Sequence, residues 1–297
     1  MEPIVKKETN WHDKYFKLLL IIPVALLLFT LVYLYIFKTS NDDFFLKDVS
    51  LTGGTTVSVF DANIDAEQIV SSLKTEFPDL QYRIISDFGS GKQHGFSIET
   101  ASNSTAVIPA LEKILGYKLT EDNSSVEFSG ASLSAGFYSQ LRIAMLVAFL
   151  GMSLVVFFIF RTFVPSFAII VCALADILMT IMAIDLLGMR LSSAGIVALL
   201  MLIGYSVDTD ILLTSRLLKT KEGSLNSRLF GAFKTGMTMT LTAIASVTVA
   251  LIVIFNLSET LKQMFTIILI GLVFDIMNTW ITNGSILKWY MEVKKIE

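Results

Sequence analysis

Gly204-Tyr-Ser-Val-Asp-Thr-Asp-Ile-Leu-Leu-Thr-Ser-Arg216 carries two carboxylates, Asp208 and Asp210, toward one end of an apolar run from Leu191 to Ser215. A charge at the centre of a membrane helix costs about 2.5 to 3.5 kcal/mol on insertion scales. Two in one segment require a use: a polar contact with another helix, an ion path, or both.

The composition surrounding that stretch is that of an integral membrane protein. Of 297 residues, 54% are hydrophobic and 16% charged, and the mean hydropathy is +0.67. Apolar runs of about 20 residues occur from Phe16 to Phe37, Ile143 to Phe160, Thr162 to Leu187, Leu191 to Ser215, Thr235 to Leu257 and Gln263 to Leu287. The first is too long for a signal-peptide core and no small-x-small cleavage site follows it, so it reads as a retained anchor. The single cysteine, Cys172, excludes an internal disulfide and reads as packing, as do the methionines. His12 and His94 are too far apart in sequence to suggest a metal site. No metal, cofactor or nucleic-acid partner is expected.

Lysines and arginines set the expected orientation. Lys6, Lys7, Lys14, Lys17, Arg161, Arg216, Lys219, Lys221, Arg228, Lys234, Lys288, Lys294 and Lys295 fall on one side, and the opposite short loops carry only Arg190 and Lys262. Both termini are therefore expected in the cytoplasm, with residues 38–139 extracytoplasmic. The chain divides into a tail with the first span (1–37), that outer domain (38–139) and a bundle of five spans (140–297). Leu225, Leu229, Phe230 and Phe233 in the loop 217–236 predict a short amphipathic helix on the membrane surface.

The outer segment has a strand and helix rhythm. Thr55–Phe60 alternates like a strand, Asp65 and Gln68 form a capping pair for a helix ending near Phe77, and Pro78 stops it. Leu80–Phe88 and His94–Thr100 read as a hairpin turning at Gly89-Ser-Gly91. A helix over Ser104–Leu115 and a strand at Ser125–Phe128 complete a βαββαβ order, which predicts an α+β ferredoxin-like domain. The small-residue run Gly130–Gly136 reads as a hinge or as a tight entry into the membrane.

Other spans also carry acids. Asp176 lies near the middle of the third and Asp275 near the middle of the sixth, while Asp185 is close enough to an end to be interfacial. Gly204, Asp208, Leu212 and Arg216 fall on one helical stripe, and Asp210 points about 200° away. That stripe makes Asp208 the expected bundle-facing acid, with Asp210 second. Gly271, Asp275, Asn278, Thr279 and Thr282 form a polar stripe in span six; Thr235, Thr238, Thr242 and Ser246 form one in span five. Desolvated carboxyl groups beside hydroxyls suit proton or cation passage. Neutral hydrogen bonding between helices is the alternative use, and the threonines alone are more often packing or back-bonding. Arg216 reads as an interfacial anchor and Tyr205 as packing.

These features carry a family resemblance over nearly the whole chain. One helix, an outer domain and five helices resemble half of an RND-superfamily transporter. Leu51-Thr-Gly53-Gly54-Thr55, the Gly130–Gly136 run, Ala175-Asp176-Ile-Leu and Ile203-Gly204-Tyr205-Ser206-Val-Asp208 are similar to motifs of its SecD/SecF protein-export family, in an archaeal-type, SecF-like branch. In the bacterial pattern Gly-Tyr-Ser-x-Asn-Asp-Thr the central aspartate falls on Thr209, with acids on either side. Met237 or Thr238 stands where bacterial members carry an arginine, and Asp275 with Asn278 has no bacterial counterpart.

The resemblance implies a polytopic α-helical half-RND bundle that pairs with a SecD-like subunit and acts beside a SecYE-type translocon in membrane lipid. There it would assist a translocating polypeptide, driven by proton or sodium movement. The ion-relay candidates are Asp208, Asp176, Asp275, Asp210, Asn278, Thr238 and Thr242; Gly53, Gly54, Gly130, Gly204, Tyr205 and Ser206 are motif positions. A non-transducing scaffold or outer-face binding module, and a stand-alone RND-type exporter, are the competing readings. No nucleophile–base constellation accompanies the acids, so catalysis is not expected.

Overall fold

The computed structural model describes residues 16–41, 43–86, 92–220, 223–255 and 258–294. The expected Gly89–Gly91 turn, the cations Lys6, Lys7, Lys14, Lys221 and Lys295, and His12 lie outside the described residues. Among the described residues six helices are long and apolar enough to cross a membrane.

In chain order these begin with α1 (Ile21–Asn41), the main part of a span that starts at Phe16. After the single-turn helix α2 (Val49–Thr52) comes a sheet domain built of β1 (Gly54–Val59), α3 (Ala66–Leu73), β2 (Gln81–Ser86), β3 (Gln93–Thr100), α4 (Ser104–Leu115) and β4 (Ser124–Ser129). The sheet is antiparallel in the order β2-β3-β1-β4, the arrangement expected of a ferredoxin-like βαββαβ chain. Asp65 caps α3 by accepting from the Glu67 and Gln68 amides. This helix ends at Leu73, short of the expected Phe77.

Alternation along the strands gives the sheet two chemically different faces. Val57, Val59, Phe96 and Ile98 pack against Ile69, Val70 and Leu73 of α3 and Val107 and Leu111 of α4. The other face bears Thr56, Ser58, Ser97, Glu99, Ser125 and Glu127. No described helix of the domain covers it, and it looks onto the end of the membrane bundle across a cavity of about 410 Å³.

Five more helices form that bundle: α5 (Ala131–Phe160), α6 (Phe163–Leu186), α7 (Ser193–Lys219), α8 (Leu225–Ile254) and α9 (Glu259–Met277). A π-helical turn, Asn278–Asn283, joins α9 to α10 (Gly284–Lys294) within one continuous span. Two expectations change here. Gly130 is the N-cap of α5 and the small residues after it are already helical, so the run to Gly136 is not a hinge loop but the first turns of the helix, with Ala131 in close contact with Gly53. Likewise 225–236 is the first part of the 30-residue α8 and not a separate surface helix.

Burial ranks the helices. In the most apolar window of α6, 67% of residues are buried, and in α7 56%, against 11% in α5 and 6% in α8. Helices α6, α7 and α9 therefore form the centre, where Ile169, Ala173, Leu199, Ile203, Ile268 and Leu272 pack together.

The sheet domain is stitched to the bundle through the α6–α7 loop. Leu191 N–H donates to Leu46 O (2.7 Å), Asp48 N–H to Leu191 O (3.1 Å) and Ser193 N–H to Ser50 Oγ (3.0 Å). Buried Glu99 pairs with Arg83 on the neighbouring strand and with Arg190 Nη1 of the loop at 3.2 Å. Gln263 of α9 ties Ser192 and the Arg190 carbonyl together. Asp185, expected at the water interface, is 7% exposed and lies under this linker, within 3.4 Å of Leu46 N–H. At the same junction Gly53 has φ +85°, and a Cβ there would stand 2.3 Å from Ala131 Cα. Gly54, with φ +138°, is equally tight against Thr100 O. The glycine pair is what allows β1 to leave α2 so close to the start of α5.

Candidate functional site

Carboxylates from the three central helices meet inside the bundle. Asp176 (α6), Asp210 (α7) and Asp275 (α9) are 0–1% exposed, on faces that otherwise bury Cys172, Met179, Leu202 and Leu213. Each is there because its helix turns its most buried face inward, so the acid shares that face with core residues one turn away.

The donors around the three acids differ. Ser206 Oγ donates to Asp176 Oδ2 at 2.5 Å, and Asn278 Nδ2 donates to Asp176 Oδ1 at 2.6 Å. The Asn278 amide is oriented in turn by Thr282, whose hydroxyl donates to Asn278 Oδ1 (3.3 Å). Asp275 Oδ1 accepts from Thr279 Oγ1 at 3.1 Å, and Thr209 Oγ1 stands 3.3 Å from both Asp275 oxygens. Thr209 also lies 2.9 Å from the Ser206 carbonyl. A hydroxyl has one proton, so Thr209 serves either that carbonyl or the carboxylate. Asp210 Oδ1 accepts from Asn283 Nδ2 at 2.7 Å. Ser206, Thr209, Asn278 and Thr279 thus surround Asp176 and Asp275 with buried donors from three helices, and Asn283 of the π turn holds Asp210 beside them.

The π-helical turn makes this network possible. Asn278, Thr279, Thr282 and Asn283 are all buried, and Asn278 reaches α6 while Asn283 reaches α7. A wider turn shifts the phase of the polar stripe, so one short segment addresses two neighbours. Asn283 and Thr209 were not among the expected site residues. An amide near the end of an apolar span is a usable signal for Asn283, but the π turn that aims it has no signature in the sequence.

The expected order of the two acids in the opening stretch is reversed. Asp208 is exposed and Asp210 fully buried. Helical projection separates the two correctly, but the bundle meets α7 on the face of Leu199, Leu202, Ser206, Thr209, Asp210 and Leu213. The opposite stripe, Val197, Met201, Gly204, Tyr205 and Asp208, is exposed among the described residues, and a Cβ at Gly204 would meet no described atom within 4 Å. Tyr205, expected to pack, is 44% exposed. Thr238 and Thr242 do not join the acids: both are exposed and bond to their own helix, at Lys234 O and Met239 O, each at 2.8 Å.

A family model described as protein export membrane protein SecD/SecF, C-terminal, matches residues 103–293. The chain is 37% identical over 288 residues to the protein-export membrane protein SecF of Methanocaldococcus jannaschii, covering 94% of this chain and 96% of the relative. It is 36% identical over 285 residues to that of Methanothermobacter thermautotrophicus, with 95% and 94% covered. In three dimensions it is similar to the crystal structure of SecDF, a translocon-associated membrane protein from Thermus thermophilus, with a TM-score of 0.73 at 17% identity. That likeness covers 93% of this chain and 38% of the SecDF chain. The chain is a multi-pass membrane protein, and it belongs to the SecF family of protein-export membrane proteins.

Proposed function

We propose that the chain is the SecF-type half of a complex with a SecD-type subunit, and that it assists polypeptide translocation by passing protons or sodium ions through the Asp176–Asp275–Asp210 network. The cluster carries this reading: three carboxylates, each held by hydroxyls or amides, at the centre of an apolar bundle. The Thr209 hydroxyl has the Tyr205 and Ser206 carbonyls as well as Asp275 within reach, so a change of charge on Asp275 redirects it without a large movement of backbone. The α7 helix that holds Asp210 bonds through Ser193 to Ser50 of α2, and Gln263 of α9 holds the α6–α7 loop, whose Arg190 pairs with Glu99 of the sheet. A shift of these helices is therefore passed to the domain that meets the exported chain.

Lys17, Arg161, Arg216, Lys219, Arg228, Lys234, Lys288 and Lys294 orient the bundle with the sheet domain outward. The open stripe of α7 supports a partner. A carboxylate facing lipid is costly, and Asp208 beside Gly204 leaves room for a second helix to approach and pair with it. In this reading the SecD-type subunit covers that stripe, lipid covers α1, α5 and most of α8, and the translocon lies alongside the assembled pair.

Ion-flux measurement on the co-purified pair in vesicles tests the relay. Asp275→Asn is expected to lower proton or sodium flux at least tenfold with the pair intact. A second reading has its own observation: both oxygens of Asp176 already have donors, as helix-to-helix adhesion requires. Wild-type flux and secretion in both Asp275→Asn and Asp176→Asn favour that scaffold role.

A further inference from the structure

The sheet domain and the membrane bundle have separate apolar cores. One holds Val57, Val59, Phe96 and Ile98 with the inner faces of α3 and α4; the other holds Phe45 and Leu51 of the linker with Leu34, Tyr138 and Ile184 of the bundle. Among the described residues the two clusters have no member in common. The division falls at Gly53–Gly54, because the linker up to α2 packs on and bonds to the bundle while β1 opens the other body. Two bodies not joined by a large apolar interface move against each other by default.

The chain passes between these bodies twice, at one place. It enters the sheet at Gly53–Gly54 and leaves at Ser129–Gly130, and Gly54 pairs with Ser129 in the β1–β4 ladder. Gly53 lies against Ala131, and Ser129 Oγ is 2.6 Å from Ser134 Oγ of α5. Two connections through one point make an axis, about which small backbone rotations tilt the whole sheet.

Away from that axis the sheet reaches the bundle through polar side chains around the 410 Å³ cavity. Exposed Glu127 accepts from the Thr260 hydroxyl in the first turn of α9. The charged link is Arg190 Nη1 to Glu99 Oε2 at 3.2 Å, and the other oxygen of Glu99 is taken by Arg83. Glu99 is 4% exposed, so each of its oxygens has one arginine, and the two arginines belong to different bodies. A buried carboxylate stripped of its only cation is costly. Glu99 is not stripped when Arg190 leaves, because Arg83 travels with it on the same sheet. The hydroxyls of Ser58, Ser97, Ser192 and Thr266 line the cavity, which lets water enter as the gap widens.

We infer that the Arg190–Glu99 pair is a latch that holds the sheet domain over the end of the bundle, and that its release lets the domain swing about the Gly53–Gly54 and Ser129–Gly130 crossing and open the cavity. Gln263 of α9 donates to the Arg190 carbonyl, so the helix that carries Asp275 also positions the latch. The latch rests on the ion-relay reading for its use; the swing itself is measured without any flux.

The test is a spin-label distance measurement on the full chain with its SecD-type partner in lipid nanodiscs. One label goes on Glu121→Cys, in the exposed turn at the end of β4 away from the axis, and the other on Leu187→Cys at the outer end of α6. Cys172, the single natural cysteine, is buried. Arg190→Gln is expected to add a population at least about 5 Å longer than the main wild-type distance. Glu99→Gln keeps the size of the side chain and should do the same, which guards against a fold defect of the first variant. Arg83→Gln should leave the wild-type distance in place, since it removes a partner that moves with Glu99. Unchanged distances in both Arg190→Gln and Glu99→Gln, or an equal lengthening in Arg83→Gln, overturn the latch. Lengthening in Arg190→Gln without any flux that depends on Asp275 would retain the latch and remove the relay. Flux that depends on Asp275, in a chain whose label distance stays fixed in every variant, would retain the relay and remove the latch.

Discussion

Asp208 and Asp210 are two residues apart on one helix, and the chain treats them in opposite ways. Asp210 is fully buried, held by Asn283 of the π turn, and close to the acids Asp275 and Asp176 of two other helices. Asp208 lies on a stripe that is exposed among the described residues. The difference teaches that a costly charge in a membrane helix has two distinct justifications: a network within the subunit, or a surface completed by another subunit. In the proposed reading the same side-chain type two positions along therefore serves two different functions.

The largest effect is expected where the inner face is broken outright. Asp176→Leu removes the acceptor of both Ser206 and Asn278, leaving two buried donors unmet at about 1–3 kcal/mol each. Thermal unfolding of the purified chain should show the whole loss, and Asp176→Asn, which keeps an acceptor oxygen, should show less. If Asp176→Leu melts like wild type, the inner network is not what holds the three helices together.

Glycines sharpen the contrast at constant chemistry. A Cβ at Gly236 would stand 2.4 Å from Trp280 Cζ2, whereas one at Gly204 meets nothing. Gly236→Ala should cost about 1–3 kcal/mol by overpacking. Gly204→Ala should leave the isolated chain at least as stable as wild type, because alanine favours a helix, while weakening association with the partner subunit. A comparison of melting midpoints with and without the partner reads both.

Asp208→Asn should behave as a surface change in the isolated chain, within about 0.5 kcal/mol. In the pair its effect appears as weaker association, by about tenfold in dissociation constant, measured by subunit exchange. An effect on the isolated chain as large as that of Asp176→Leu would contradict the assignment of its face.

The smallest effect lies outside the membrane and tests burial of an acid by pH alone. Asp48, at the junction of the sheet domain and the bundle, has its carboxyl raised above the usual carboxylate range by burial, with the nearby Glu99 charge adding to the rise. A raised folded value means the folded chain holds more protons than the unfolded chain between the two values. Stability of the junction should therefore rise as the pH falls from neutral through that window, and level off below the ordinary carboxylate value. Asp48→Asn should remove this contribution from a pH series of unfolding midpoints.

Much of the fold was legible because its signals are local. The strand alternation at Thr55–Phe60, the Asp65 cap and the helix at Ser104–Leu115 are set by neighbours in sequence, and each appears within a few residues of its expected place. So do the apolar lengths of the spans. Helix starts were less legible: α5 begins at Ala131 and α8 at Leu225 because polar and small residues continue a helix as it leaves the apolar layer. At the site, the periodicity of α7 separated Asp208 from Asp210 but carried no information on which side α9 packs. Asn283 was hidden for a related reason, since only the π turn brings it onto Asp210. The polar residues Thr238 and Thr242 look equivalent to Thr209 in sequence; tertiary packing alone distinguishes a donor to Asp275 from two hydroxyls satisfied by their own helix.

The most direct test of the account sets the two faces of α7 and its neighbours against each other in one assay: ion flux into vesicles containing the chain with its SecD-type partner, normalised to intact pairs. Asp275→Asn should lose at least tenfold in flux while the pair stays assembled, and Asp208→Asn should match wild type per intact pair. Unchanged flux in Asp275→Asn, or a loss that follows Asp208→Asn instead, would contradict the assignment of ion movement to the buried network.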